Sequence, residues 1–463
     1  RCCAQLEHGC SAPRFSQPQR KNHLRFAVLA IISILATNLV TVKPCFARHS
    51  YPHQWDFRPL AAPVALVQCP VQWRHQRSGC RLPRYASSGE VDPVAIPRVV
   101  FLGSPDCVCS VLRTLHEASL QDGAFAISAV VTQPPKRNTK KGKGTSKTAI
   151  HDLAEELGIS CILTPASARD DEFLTELESL APDLCVTAAY GQYLPRRFLS
   201  TPRLGTLNLH PSLLPRWRGA SPVQRSLVAG DTTTGISILY TVAKMDAGPV
   251  ALQRSIALCG NETSHELLEQ LFQWGVRLLV DETLPQVFSG SMSIESAEPQ
   301  DENLVTLAPL IGKNEGLMWP HNETAIQMRD KVRGFHGWPG ASLPLAITGS
   351  AKPPFGARVK VFGARVVKAT ELHPNDQSRP LEELVFVKAR DGQPEAVGVR
   401  PATDPEHVLL LQRFQIPGKK SEVSAKNFYK GYMTKQPARW TPPEEEVALA
   451  AAATTQTGKK VRK

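Results

Sequence analysis

The sequence predicts an α/β protein: a doubly wound, mostly parallel sheet, followed by a small β-barrel of OB type. Three observations carry this. Between residues 96 and 290, apolar runs of strand length alternate with amphipathic stretches of helix length, the pattern of β–α crossovers. The first apolar run ends on Gly103-Ser104-Pro105-Asp106, a strand-to-helix turn. Beyond residue 313 the runs are short and punctuated by Gly and Pro, as in closed antiparallel sheets.

Taken in order, 98–102 is a buried parallel strand. Pro105 suits a first helical turn with Ser104 as its cap, so a helix is expected over 107–119. Strand 124–132, helix 147–157, strand 160–163, helix 171–180 and strand 183–189 follow. The extended run 204–210 carries Asn208 and His210, and 250–257 is a further strand. Thr263 and Glu266 form a capping box for a long helix, 264–289. Residues 299–308 read as a polar linker ending in a short strand. Strands are expected at 357–362, 384–388, 396–399 and 407–412, with a terminal helix after a loop at 416–426. The expected division is a targeting presequence (1–95), a catalytic domain (96–291), a linker (292–312), a second domain (313–440) and a disordered tail (441–463). One Gly in the first turn is no dinucleotide fingerprint, so no nicotinamide cofactor is inferred.

The net charge of +12 invites a nucleic-acid reading, but its location matters. Residues 1–89 hold ten Arg and two Lys against Glu7 and Asp56, leaving 42 basic and 40 acidic residues elsewhere. Bulk basicity therefore belongs to the N-terminal segment and says little about RNA. Six of the eleven Cys also lie there. Cys107 and Cys109 have no second pair spaced to complete a tetrahedral site, so no metal is expected.

The first 95 residues read as an address. The chain opens on Arg1 rather than Met, and a start further upstream is expected. Residues 26–42 are mostly apolar, preceded by Arg20, Lys21, His23 and Arg25 and followed by Cys45-Phe46-Ala47, a small-x-small cleavage pattern. The run is short for a membrane span and contains Ser33, Thr37, Asn38 and Thr41. Residues 48–88 are rich in Arg, Pro and Ser and nearly free of acids, like a transit peptide. Together the two resemble a bipartite plastid presequence, with a mitochondrial one as the alternative. No stable membrane association is expected.

The densest chemistry lies at 204–222. Asn208 and His210 sit two apart on a strand, so both side chains leave one face. Pro211-Ser212-Leu213-Leu214-Pro215 follows, a rigid turn that cannot continue the sheet. An amide and an imidazole at a strand end suit a reaction with a developing oxyanion. Met245-Asp246-Ala247-Gly248-Pro249 adds a carboxylate in another turn. An isolated Asn-x-His is usually a strand edge; the whole constellation is far more specific.

Asn-x-His-Pro-Ser-Leu-Leu-Pro-x-x-Arg-Gly with a later Asp-x-Gly resembles the 10-formyltetrahydrofolate-dependent formyltransferases. The resemblance runs from residue 97 to about 290 and implies a formyltransferase Rossmann-like fold. It implies that Asn208, His210 and Asp246 are catalytic, with Ser212, Leu213, Leu214 and Pro215 against the folate. Tyr190-Gly191 ends a strand at the carboxyl edge of the sheet, where such folds hold ligands. Tyr190 is either a folate contact or a packed aromatic. The formyl donor is activated already, so no metal is implied. This chain departs from many bacterial relatives at Pro211 and Pro249, which spares all three catalytic residues.

The same three residues serve enzymes acting on glycinamide ribonucleotide, amino sugar nucleotides, water or methionyl-tRNA. Residues 132–147 hold six basic residues and no acid. A solvated loop is the plain reading. Yet the position matches the basic insertion loop of methionyl-tRNA formyltransferases, which implies that Lys136, Arg137, Lys140, Lys141 and Lys143 contact tRNA phosphates. Gln327-Met-Arg-Asp-Lys-Val-Arg-Gly-Phe-His-Gly-Trp-Pro-Gly340 and 416–426 resemble that family's C-terminal domain. The implied partners are methionyl initiator tRNA and folate, with a monomeric protein serving organellar translation. The alternatives are a formyltransferase or 10-formyltetrahydrofolate hydrolase for a small substrate, and an RNA-binding protein with a vestigial site.

Overall fold

The computed structural model describes residues 96–137, 144–347, 355–390 and 392–441. The expected presequence, 1–95, lies outside these, as does the expected tail apart from Thr441. Strand β1 (Arg98–Gly103) is buried along nearly its whole length, which marks it as central. A single 3₁₀ turn, Asp106–Val108, then leads into α1 (Cys109–Asp122). Ser104 does not cap it. Its hydroxyl donates to Tyr190 O (3.3 Å) and accepts from Gln133 N (3.3 Å), tying together three loops at the carboxyl edge. Gly123, at φ 59°, closes α1 in the left-handed conformation that glycine tolerates.

Next come β2 (Ala126–Val131) and the short antiparallel pair β3 (Lys136–Arg137) and β4 (Thr145–Ser146). Helix α2 (Ala149–Glu156) is capped by Thr148, which accepts from His151 N at 3.1 Å. Then follow β5 (Ile162–Leu163), α3 (Asp171–Leu180), β6 (Leu184–Ala188) and α4 (Arg196–Leu199). The half is completed by β7 (Thr206–His210), α5 (Pro222–Val228), β8 (Thr233–Tyr240), β9 (Val250–Ala257), α6 (Ser264–Leu278) and α7 (Leu284–Ser289).

The sheet order is β5-β2-β1-β6-β7-β8-β9, parallel from β5 to β7 and antiparallel across β8 and β9. Along β1, Val99 and Phe101 enter the core under α1 and α6, while Val100 and Leu102 enter the core under α3. This alternation buries both faces, as a doubly wound sheet requires. The long helix expected at 264–289 forms with its capping box, Thr263 and Glu266, but breaks into a wider π turn at Leu279–Thr283. Pro285 explains the break: it has no N–H to give, and its ring crowds the preceding turn.

The remaining elements are α8 (Ala325–Gly334), β10 (Ser342–Ile347), β11 (Phe355–Lys368), α9 (Pro374–Gln377), β12 (Val385–Val387), β13 (Ala396–Val399), β14 (His407–Gln415), β15 (Val423–Ser424), α10 (Ala425–Tyr432) and β16 (Arg439–Trp440). The antiparallel order β12-β13-β14-β11-β10-β16 curls until its ends meet. Leu384 N donates to Ala438 O at 2.9 Å, and Trp440 N to Glu382 O at 3.0 Å. The inside has its own core, including Leu343, Val359, Leu409 and Phe414, the last stacked on Phe428 at 4.3 Å. Among the described residues, no helix is long and apolar enough to cross a membrane.

Candidate active site

Asn208 and His210 leave the last turn of β7, between β6 and β8. The register sets Thr187 of β6 beside Asn208. The Thr187 hydroxyl donates to Asn208 Oδ1 at 2.8 Å, which fixes the amide and turns its NH2 toward Asp246 Oδ1, 3.4 Å away. His210 is nearly fully buried, with Nε2 at 2.9 Å from Trp217 O. A carbonyl only accepts, so Nε2 carries the proton. Nδ1 then faces Asp246 Oδ2 at 3.7 Å, and that oxygen also accepts from Gly219 N at 2.9 Å. Asn208 and His210, two apart on β7, thus converge with Asp246 from a turn well beyond them.

The arrangement is held against local preference. Trp217 (φ 68°) and Asp246 (φ 50°) are left-handed without being glycine, which costs about 1–3 kcal/mol each. Trp217 is clamped from several sides. Its N donates to Thr306 Oγ1 (2.8 Å), its indole donates to Asp231 Oδ2 (2.8 Å), and Arg216 stacks on its ring at 4.4 Å. Burial alone would push the Asp231 carboxyl up, but hydrogen bonds from Arg216, Trp217 and Ser226 outweigh it and hold it below the usual carboxylate range. Gly219 is required by close approach: a Cβ there would lie 2.5 Å from Ala308 O. At Gly248 it would lie 1.7 Å from Tyr240 O. Arg-Gly and Asp-x-Gly are therefore packing signatures as much as chemical ones.

Residues 299–308 are not a free linker, although their end does pair as an extended segment, in a parallel bridge between Leu307 and Arg218. They form a strap bonded along the catalytic loop. Arg218 N donates to Thr306 O (2.9 Å), Ala308 N to Arg218 O (2.7 Å) and Ser221 N to Ala308 O (3.1 Å). Polar composition misled the sequence reading because these bonds are made by backbone, which composition does not show.

A cavity of about 520 Å³ opens at the carboxyl edge of the sheet. Thr187, Asn208, His210 and Asp246 line its polar end; Tyr190, Val242 and Phe272 are among its apolar walls. Size and lining fit a drug-sized ligand with one reactive, polar end. Tyr190 is thus both packed and cavity-lining; burial pushes its phenol up, so it stays protonated. Ser212, Leu213, Leu214 and Pro215 follow Pro211, which lines the cavity, but are not themselves among its lining residues. Ser212 Oγ donates to Arg216 O (2.7 Å), and Ser237 of β8 bonds both Ser212 O (2.7 Å) and Leu214 N (3.1 Å). Ser237 of β8 and Gln253 of β9, which donates to Leu214 O at 2.9 Å, thus hold this turn against the sheet.

Lys136 is exposed on strand β3, whose second residue is Arg137. Lys140, Lys141 and Lys143 lie outside the described residues. Cys107 lines the cavity as a thiol, since burial and then Asp106 push it up to about 12. Among the described residues no group of His, Cys, Asp or Glu is arranged to hold a metal. Sequence reasoning missed Thr187, Thr306 and the Trp217 carbonyl. Thr187 looks like an ordinary strand residue, and only the β6–β7 register puts it beside Asn208.

A family model described as formyl transferase matches residues 97–283. Fold and site thus define a formyltransferase half. The methionyl-tRNA formyltransferase of Paramagnetospirillum magneticum is 38% identical over 270 residues, 58% of this chain and 82% of that protein. That of Geobacter sulfurreducens is 37% identical over 324 residues, 70% of this chain and 90% of that protein. HypX from Aquifex aeolicus, solved in complex with tetrahydrofolic acid, aligns at TM-score 0.45 and 18% identity over 72% of this chain and 47% of its own. The chain belongs to the methionyl-tRNA formyltransferase family.

Proposed function

We propose that this chain transfers the formyl group of 10-formyltetrahydrofolate to the amino group of methionyl initiator tRNA, in an organelle that starts translation with formylmethionine. The convergence of Asn208, His210 and Asp246 at the polar end of the cavity carries the reading. The neutral amine attacks the formyl carbon, and the carbonyl oxygen becomes an oxyanion. The bond from that carbon to N10 then breaks; the amine loses one proton and N10 gains one.

Asn208 donates to the oxyanion through an amide that cannot titrate, with Thr187 holding it in place. His210 keeps its Nε2 proton on the Trp217 carbonyl, so Nδ1 is the nitrogen free to take and return a proton. Asp246 faces that nitrogen and stabilises the imidazolium while it lasts. Tyr190 and the apolar wall hold the folate. Lys136, Arg137, Lys140, Lys141 and Lys143 meet tRNA phosphates, and the C-terminal barrel is a second platform for the tRNA. The protein acts as a monomer without a metal or stable membrane association. The basic, apolar, small-residue order within 1–95, followed by an acid-poor stretch, supports import into a plastid over a mitochondrion.

The test offers labelled 10-formyltetrahydrofolate with methionyl initiator tRNA, methionyl elongator tRNA and glycinamide ribonucleotide side by side. Label on the initiator tRNA is expected. Label on the small amine, or free formate with no acceptor labelled, would sink the tRNA assignment. A fusion of residues 1–95 to a fluorescent protein should enter plastids; mitochondrial or cytosolic signal would remove that part.

A further inference from the structure

We propose that Gln300 is a positioning residue for Asp246, and that through it the strap between the two halves sets where the catalytic carboxylate points. The inference rests on the function proposed above. Gln300 lies beyond the 97–283 match. Its amide is used completely. Nε2 donates to Asp246 O (2.9 Å) and to Gly248 O (2.7 Å), and Oε1 accepts from Arg218 Nε (2.9 Å).

These bonds close a ring. Gln300 grips both ends of the Asp246–Gly248 turn from the strap. Arg218, itself buried, grips Gln300 and returns to the strap at Glu302 Oε1 (2.9 Å). Gly219, next to Arg218, gives its N–H to Asp246 Oδ2 (2.9 Å). Asp246 stands in a left-handed conformation that Asp adopts only occasionally, and outside donors keep the turn in place. Only a Gln side chain meets all three demands here. Glu would set carboxylate oxygens against two carbonyls, and Asn is one methylene too short. Gln300 bonds backbone carbonyls and not the reacting groups, so its action passes through Asp246.

The full chain is tested as Gln300→Met, which keeps length and approximate volume but loses every hydrogen bond. Displacing a reacting group by about 1 Å costs up to about 100-fold, so kcat should fall by about 10- to 100-fold. KM for both substrates should stay within about twofold, since uniform binding is untouched. On an Asp246→Ala background the same substitution should change kcat by less than about twofold, because there is no carboxylate left to misplace. Gln300→Glu gives the same reading should the apolar side chain unsettle the strap. A cost that multiplies undiminished on Asp246→Ala, a rise in KM alone, or unchanged kcat would overturn the inference. A parent chain that does not formylate methionyl-tRNA would instead overturn the function beneath it.

Discussion

Asn208 accepts the Thr187 hydroxyl through one end of its amide and so presents the other to the reaction. Removing the donor outright, as Asn208→Ala, should lower kcat by about 100- to 1000-fold. Thr187→Val removes only the hydroxyl and should cost about 10-fold, with a stability change near the ~1 kcal/mol of one hydrogen bond. Steady-state kinetics beside thermal unfolding separates the two; equal losses would mean that Thr187 does more than orient. Asp231 gives a pH signature. Its folded pKa lies below the unfolded value of about 3.9, so its contribution is full above that pH and is lost as pH falls through the folded value. Asp231→Asn should be less stable at pH 7 by about 2–3 kcal/mol, as expected for lost bonds to a charged acceptor, and the gap should narrow below about pH 4. A gap constant with pH would place the effect in packing. At this scale the sequence singled out the side chains that the structure brings together at the cavity, because Asn208-x-His210 and Asp246-x-Gly248 are local patterns. It did not show Thr187, Trp217 O or Gln300, whose roles come from register and backbone bonds.

Among elements, legibility followed burial pattern. Helix 171–180 and the capping box at Thr263 were readable because their signals are local. Strand β8 was not read: seven of its eight residues are buried, so it lacks the alternation that marks a half-exposed strand. Strand β10 hid behind Pro344, a residue that argues against a strand. The strap was read as a linker, although its backbone bonds hold the catalytic loop. The turn carrying Asp246 tests how much rigidity the chemistry needs. In Gly248→Ala the new Cβ meets the Tyr240 carbonyl, and backbone on both sides cannot yield as a side chain would. Stability should fall by about 1–3 kcal/mol, as overpacking does, and kcat should fall far more than that loss of folded protein explains. Gly123→Ala is the control. It has open space and φ 59°, so it should cost about 1 kcal/mol and leave kcat unchanged. Full activity in Gly248→Ala would show that the turn tolerates movement.

At the scale of the molecule, two hydrophobic cores are joined by a narrow, close contact. Helix α8 of the barrel half packs on α5 of the catalytic half. Arg333 Nη2 donates to Leu227 O at 3.4 Å, and Arg225 Nη2 reaches Glu315 at 3.1 Å and Pro309 O at 3.1 Å. Gly334 permits the approach: a Cβ there would lie 2.6 Å from Val228 Cγ2 and 3.2 Å from Gln224 O. The halves are thus held close by a residue with no side chain, and under the proposed function a tRNA spanning both would have to match that spacing. Gly334→Val should wedge α5 from α8. Formylation of methionyl-tRNA should then show KM for the tRNA raised by about 10-fold, or about 1.4 kcal/mol, while KM for the formyl donor stays within about twofold. Calorimetry should resolve two unfolding transitions where the parent chain gives one, since coupling between the cores is what merges them. An unchanged tRNA KM with two transitions would show that the tRNA does not bridge the halves, and a single transition with raised KM for both substrates would place the damage in the catalytic half.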